Sequence, residues 1–82
     1  MESNPLLQTA IGTVLLRERQ KRHLTQQALA DHAGLQRVYI VGIEGGRRSV
    51  SMTTVFALAH ALGISPSDFV KKVQEEMKLR LD

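Results

Sequence analysis

Seven basic side chains, Arg17, Arg19, Lys21, Arg22, Arg37, Arg47 and Arg48, fall within residues 17–48, against three acids, Glu18, Asp31 and Glu44. Such an excess over so short a stretch is the footprint a polyanion requires, the alternative being a solvated helix face. The remaining reactive side chains are poorly spaced for catalysis. His23, His32 and His60 lie far apart with no carboxylate at ligand spacing, so no metal site is expected. There is no nucleophile elbow, phosphate-cradling glycine loop or pair of catalytic carboxylates. Gly45-Gly46 reads as a helix stop, and His60, flanked by alanines, as a surface or boundary residue. The expectation is a binding protein and not an enzyme, with no cofactor.

Length and composition narrow the scaffold that must position these charges. At 82 residues the chain fits a single domain, 1–82, with its core in residues 5–70. A hydrophobic content of 43% with only Tyr39, Phe56 and Phe69 as aromatics points to Leu/Ile/Val/Ala packing, hence an all-α fold and not a sandwich. Without cysteine, neither a disulfide framework nor a thiolate zinc site is available, so stability must come from packing or a partner subunit. The start, MESNPLLQTAIG, lacks the pattern of a secretory signal, and no apolar run is long enough for a membrane span. A cytoplasmic location with no membrane partner is the expectation.

Local signals divide the chain into five helices. Residues 1–4 read as a frayed tail, and Asn4-Pro5 as the N-cap and first residue of helix 1, running to about Arg22 with Leu7, Ala10, Ile11, Val14 and Leu15 inward. His23 stands where a helix end favours Gly, and some strain is expected there. Thr25 caps helix 2, Gln26 to about Ala33, with Ala28, Leu29 and Ala33 buried; Gly34 supplies the turn. Helix 3 runs from about Gln36 to Glu44. Ile40 and Ile43 reach the core, while Gln36, Arg37, Val38, Val41 and Gly42 form an outer face suited to lying close against something flat. After the basic loop Arg47-Arg48-Ser49-Val50, Ser51 caps helix 4, Met52 to Leu62, with Val55, Leu58, Ala59 and Leu62 inward. Gly63 stops it, and Ser65-Pro66-Ser67-Asp68 opens helix 5, residues 66–81. The stripe Phe69, Val70, Val73, Met77, Leu81 is longer than so small a core needs. Its distal part either meets a second subunit or frays.

The segments LTQQALADHAG, LQRVYIVGIEGGRRSVS and TVFALAHALGIS occur together and in order, and over residues 11 to 70 the chain resembles the helix-turn-helix family of lambda repressor, Cro and the xenobiotic-response-element regulators. The resemblance implies a compact five-helix DNA-binding domain. It implies a structural ion pair between Arg19 and Glu44, and a phosphate contact from Gln26 at the start of helix 2. Among small relatives the pattern Arg37-Val38-Tyr39-Ile40 is similar to the Arg-X-Tyr-Ile of restriction-modification controller proteins, which dimerise through their C-terminal helices. Val38, where those proteins carry a polar residue, and His23 are departures.

On that resemblance Arg37 offers guanine a bidentate fork, worth about 1–3 kcal/mol of discrimination. Val38 contacts a thymine methyl, and Val41 with Gly42 allows close approach to base edges or sugar. Gln36, Arg47 and Arg48 hold phosphates. Tyr39 donates to a phosphate, stacks on a base step, or is a core-edge aromatic. Arg17 and Arg22 are either further backbone contacts or solvated charges. One small module makes too few contacts for specificity, so a homodimer is expected, through helix 5 and the exposed face of helix 4, using Phe56, Phe69, Val73 and Met77. Operator occupancy would block RNA polymerase or recruit it. The rival reading is a protein-interaction module, an antitoxin or phage adaptor.

Overall fold

A computed structural model describes residues 4–81. The expected N-terminal tail lies, apart from Asn4, outside the described residues. Five helices follow in order: α1 Pro5–Lys21, α2 Gln26–Ala33, α3 Arg37–Glu44, α4 Met52–Leu62 and α5 Pro66–Leu81. They pack into a body of 34 × 24 × 19 Å.

Each boundary has a local cause. Asn4, Thr25, Ser51 and Ser65 each accept a hydrogen bond from a first-turn amide, of Leu7, Ala28, Thr54 and Asp68. α3 differs: it starts one residue later than the sequence pattern suggests, because Gln36 is its N-cap, and that side chain makes no capping bond. Gly34 and Gly63 end α2 and α4 in the left-handed region, at φ 69° and 73°. α1 stops at Lys21, with Arg22 as its C-cap, and His23 takes φ 55°, a left-handed backbone without glycine's freedom.

The core is a continuous cluster: Ala10, Ile11, Val14 and Leu15 of α1, Leu29 and Ala30 of α2, Ile40 and Ile43 of α3, Val55, Leu58, Ala59 and Leu62 of α4, and Phe69 and Val73 of α5. In α2 the alanine that is fully buried is Ala30, while Ala28 and Ala33 are half-buried, since an eight-residue helix turns only one narrow face inward. The α5 stripe is corrected more substantially. Phe69 and Val73 are 1% and 6% exposed inside the protomer's own core, so they offer no surface to a second copy; Val70 and Leu81 turn outward, 46% and 71% exposed. Met77 is half-buried against the core.

α1 and α5 are joined by an ionic seam as well as by apolar contact. Glu18, 3% exposed, receives Lys21 Nζ and Arg22 Nη1 at 3.1 Å each and Lys72 Nζ at 3.9 Å. Glu76, 7% exposed, receives Arg17 at 3.2 Å and Arg80 at 3.0 Å, and Arg80 also donates to Thr13 Oγ1 at 2.8 Å. Burial pushes the Glu18 carboxyl pKa upward, but hydrogen bonds from Lys21 and Arg22 and the charges of Lys72 and Lys21 outweigh it and hold it below its ordinary value.

Candidate nucleic-acid interface

α2, the Gly34 turn and α3 form a helix-turn-helix unit, and what fixes it is the end of α3. Glu44 accepts from Arg19 Nε at 2.6 Å and from Arg19 Nη2 at 3.1 Å, a two-pronged pair whose side chains are 12% and 5% exposed. The third nitrogen, Arg19 Nη1, donates to the carbonyl of Leu24 at 2.7 Å, and Gln26 Nε2 donates to Glu44 Oε1 at 2.9 Å. One carboxylate thus ties α3 to α1 and to the first residue of α2. Gly12, seven residues before Arg19 on the same face of α1, completes the join. A Cβ there would collide with the carbonyl oxygens of Ile43 and Glu44, so only glycine lets the two backbones come this close.

The C-terminus of α3 is closed by Gly46 at φ 73°, with Gly46 N donating to the carbonyl of Ile43 and Arg47 N to that of Gly42 at 2.9 Å. The loop beyond it is held down again two residues later, where the Tyr39 hydroxyl donates to the carbonyl of Ser49 at 3.2 Å. Tyr39 is half-buried and packs on the core. With its proton engaged, it is better placed to position the basic loop than to donate to a phosphate.

The outer face carries Gln36, Arg37 and Val38, all exposed, with Val38 at 63%. Val41 is half-buried. Gly42 does not meet the expectation that it faces a ligand directly: it is buried beneath the side chain of Arg48, whose Cγ would lie 2.6 Å from an added Cβ. Arg47 folds instead over Gly45. Gln26 keeps one N–H of its amide after serving Glu44.

Ion pairing divides the cations, with Lys71 and Lys78 of α5 outside any pair among the described residues. Arg17, Arg19, Lys21, Arg22, Lys72 and Arg80 each meet a carboxylate. Arg17 and Arg22, ambiguous in the sequence, are therefore occupied by Glu76 and Glu18. Among the described residues no ion pair engages Arg37, Arg47 or Arg48. They flank an α3 whose amino end is the one without a side-chain cap, leaving first-turn N–H groups and the positive end of the helix dipole open to an anion.

Sequence reasoning missed Gly12, Glu18 and Glu76. Gly12 left a trace as a lone glycine within a helical pattern. Glu18 did so as an acid followed by cations three and four residues on. Glu76 left no local trace of its tie to Arg17, because that contact spans 59 residues. Phe56 is 56% exposed and lies with Met52, Val70 and Lys71 along an apolar groove of about 380 Å³ between α4 and α5. No described helix is long and apolar enough to cross a membrane.

The helix-turn-helix family pattern HTH_3 matches residues 15–69. The HTH-type transcriptional regulator y4dJ of Sinorhizobium fredii is 32% identical over 65 residues, spanning 79% of this chain and 84% of that protein. Among solved structures, the clp gene regulator ClgR from Corynebacterium glutamicum superposes with a TM-score of 0.86 at 29% identity, covering 92% of this chain and 80% of that one. The restriction-modification controller protein C.Esp1396I, solved as a tetramer on its natural 35 base-pair operator, gives 0.81 at 28% identity over 93% and 97% of the two chains. The chain belongs to the lambda repressor-like helix-turn-helix family and is a DNA-binding transcriptional regulator.

Proposed function

We propose that the chain reads an operator as a homodimer, with α3 in the major groove, in the manner of a restriction-modification controller protein. The observation that carries this reading is the division of cations: Arg17, Lys21, Arg22, Lys72 and Arg80 are engaged by the carboxylates of Glu18 and Glu76, while Arg37, Arg47 and Arg48 stand at the two ends of an apolar, uncapped α3 without such partners. Arg37 and Val38 then meet base edges, and Arg47, Gln36 and the second N–H of Gln26 hold the backbone, with Tyr39 fixing the loop. Two copies paired through the Met52–Phe56–Val70 groove present two recognition helices to half-sites roughly 34 Å apart.

Selection of bound sites from random duplex DNA, followed by sedimentation of the protein with and without the selected duplex, tests the reading. A symmetric site bound by two copies is expected. A monomer with no salt-dependent affinity for duplex DNA would overturn it in favour of a protein-binding module.

A further inference from the structure

We infer that Arg48 is a base-reading side chain, delivered onto the outer face of α3 from the following loop by a seat that Gly42 provides. This rests on the proposal that α3 enters the major groove.

Gly42 lies four residues after Val38 and so shares its face of the helix. Val38 is open there, yet Gly42 is buried, and the group that buries it is Arg48. A Cβ at position 42 would lie 2.6 Å from Arg48 Cγ, 3.4 Å from Nε and 3.6 Å from Cδ, so the aliphatic stem crosses directly over the helix backbone. Arg48 also shares a depression of about 370 Å³ with Gln36, Val38, Tyr39 and the Gly34-Leu35 turn. The side chain therefore lies back along α3 towards its amino end.

The loop that carries it is pinned on both sides of Arg48. Arg47 N donates to the carbonyl of Gly42, and the carbonyl of Ser49 accepts from Tyr39. The backbone of residue 48 is thus tied to α3 before any ligand arrives, and little ordering remains for the guanidinium. Arg47, one residue earlier, folds over Gly45 beyond the end of the helix, where the flanking backbone would pass. Neighbouring arginines are thereby sent to different work. Arg48 is exposed and, among the described residues, makes no hydrogen bond or ion pair, so its planar fork is available for two acceptors on one base edge.

The experiment compares wild-type protein with Arg48→Ala, Arg48→Lys, Gly42→Ala and Arg37→Ala against a library of single-base variants of the selected duplex. Arg48→Ala is expected to lose roughly tenfold or more of the discrimination at one base pair per half-site. It should leave the preference read by Arg37 intact, and Arg48→Lys should not restore what was lost. Gly42→Ala, which displaces the stem, should lose the same base preference with Arg48 still present. Equal weakening of every variant by Arg48→Ala, with the salt slope lowered by about one, would make Arg48 a phosphate contact and overturn the inference. Altered preference in Arg37→Ala alone would leave groove reading by α3 standing while removing Arg48 from it. Unaltered preference in both arginine variants would reject the groove reading itself. An unchanged preference in folded Gly42→Ala would remove the seat.

Discussion

Arg19 and Glu44 meet through two parallel hydrogen bonds, at 2.6 and 3.1 Å, and by that contact the last residue of α3 is fixed to the scaffold helix α1. The pair is nearly enclosed, and Gln26 joins it on the Glu44 side. Removing the carboxylate strands a guanidinium that water cannot fully reach. Glu44→Ala should cost about 3–5 kcal/mol in urea unfolding, and Arg19→Lys should retain only part of the wild-type stability because an ammonium cannot make both bonds. A loss below about 1 kcal/mol for Glu44→Ala would show that the pair is not what anchors α3.

At the α1–α5 seam, Glu18 gives stability a defined pH dependence. Its folded pKa is depressed by Lys21, Arg22 and Lys72, so its contribution is complete above the ordinary value of 4.5 and disappears as pH falls below that towards the folded value. Glu18→Gln should therefore destabilise the protein at neutral pH and flatten its acid-unfolding profile below pH 4.5. Parallel profiles for the two proteins over that range would reject the assignment.

His23 holds φ 55° at the end of α1 without glycine's freedom. His23→Gly should raise stability by about 1 kcal/mol, with Tm higher by roughly 4–8 °C. The greater entropy of glycine in the unfolded chain offsets part of the gain. A lower Tm would mean that the imidazole makes a contribution larger than the strain it endures.

Phe56 and Phe69 should separate association from folding. Phe69, sealed in the core, should cost about 3–5 kcal/mol on conversion to Ala. Phe56→Glu should leave the thermal transition within about 0.5 kcal/mol of wild type while abolishing the dimer in sedimentation. A dimer that survives Phe56→Glu would move the interface away from the α4–α5 groove.

Arg37 and Arg47 should differ in kind. Arg37→Ala is expected to change the ranking of operator variants, whereas Arg47→Ala should weaken all of them alike and lower the salt slope by about one. Competition binding at several salt concentrations reads both effects.

The parts of the fold that depend on neighbours in sequence were legible: Asn4, Thr25, Ser51 and Ser65 as caps, Gly34 and Gly63 as stops, and the inward stripes of α1 and α4. Two things were not. A stripe on α5 does not say which surface it meets, so Phe69 and Val73 read equally well as interface or as core. Charge periodicity treats every cation as solvent-facing, so the enclosure of Glu18 and Glu76, which depends on packing α5 against α1, was hidden. In the site itself, residue types pointed to an anion-binding helix. They could not show that Gly42 would be covered by Arg48 or that Tyr39 would hold Ser49, because both contacts depend on how the loop folds back.

The ionic seam between α1 and α5 also bears on how the fold responds to its medium. Five cations, Arg17, Lys21, Arg22, Lys72 and Arg80, share the two carboxylates of Glu18 and Glu76, so the seam keeps a positive excess. The cationic side chains reach towards solvent while the carboxylates they meet are enclosed. Salt, acting over a Debye length of roughly 8 Å, screens the repulsion among the outer cations more than their attraction to the enclosed acids. Added salt then relaxes the crowding of like charge while the inner contacts persist, so the join between α1 and α5 is not loosened by it.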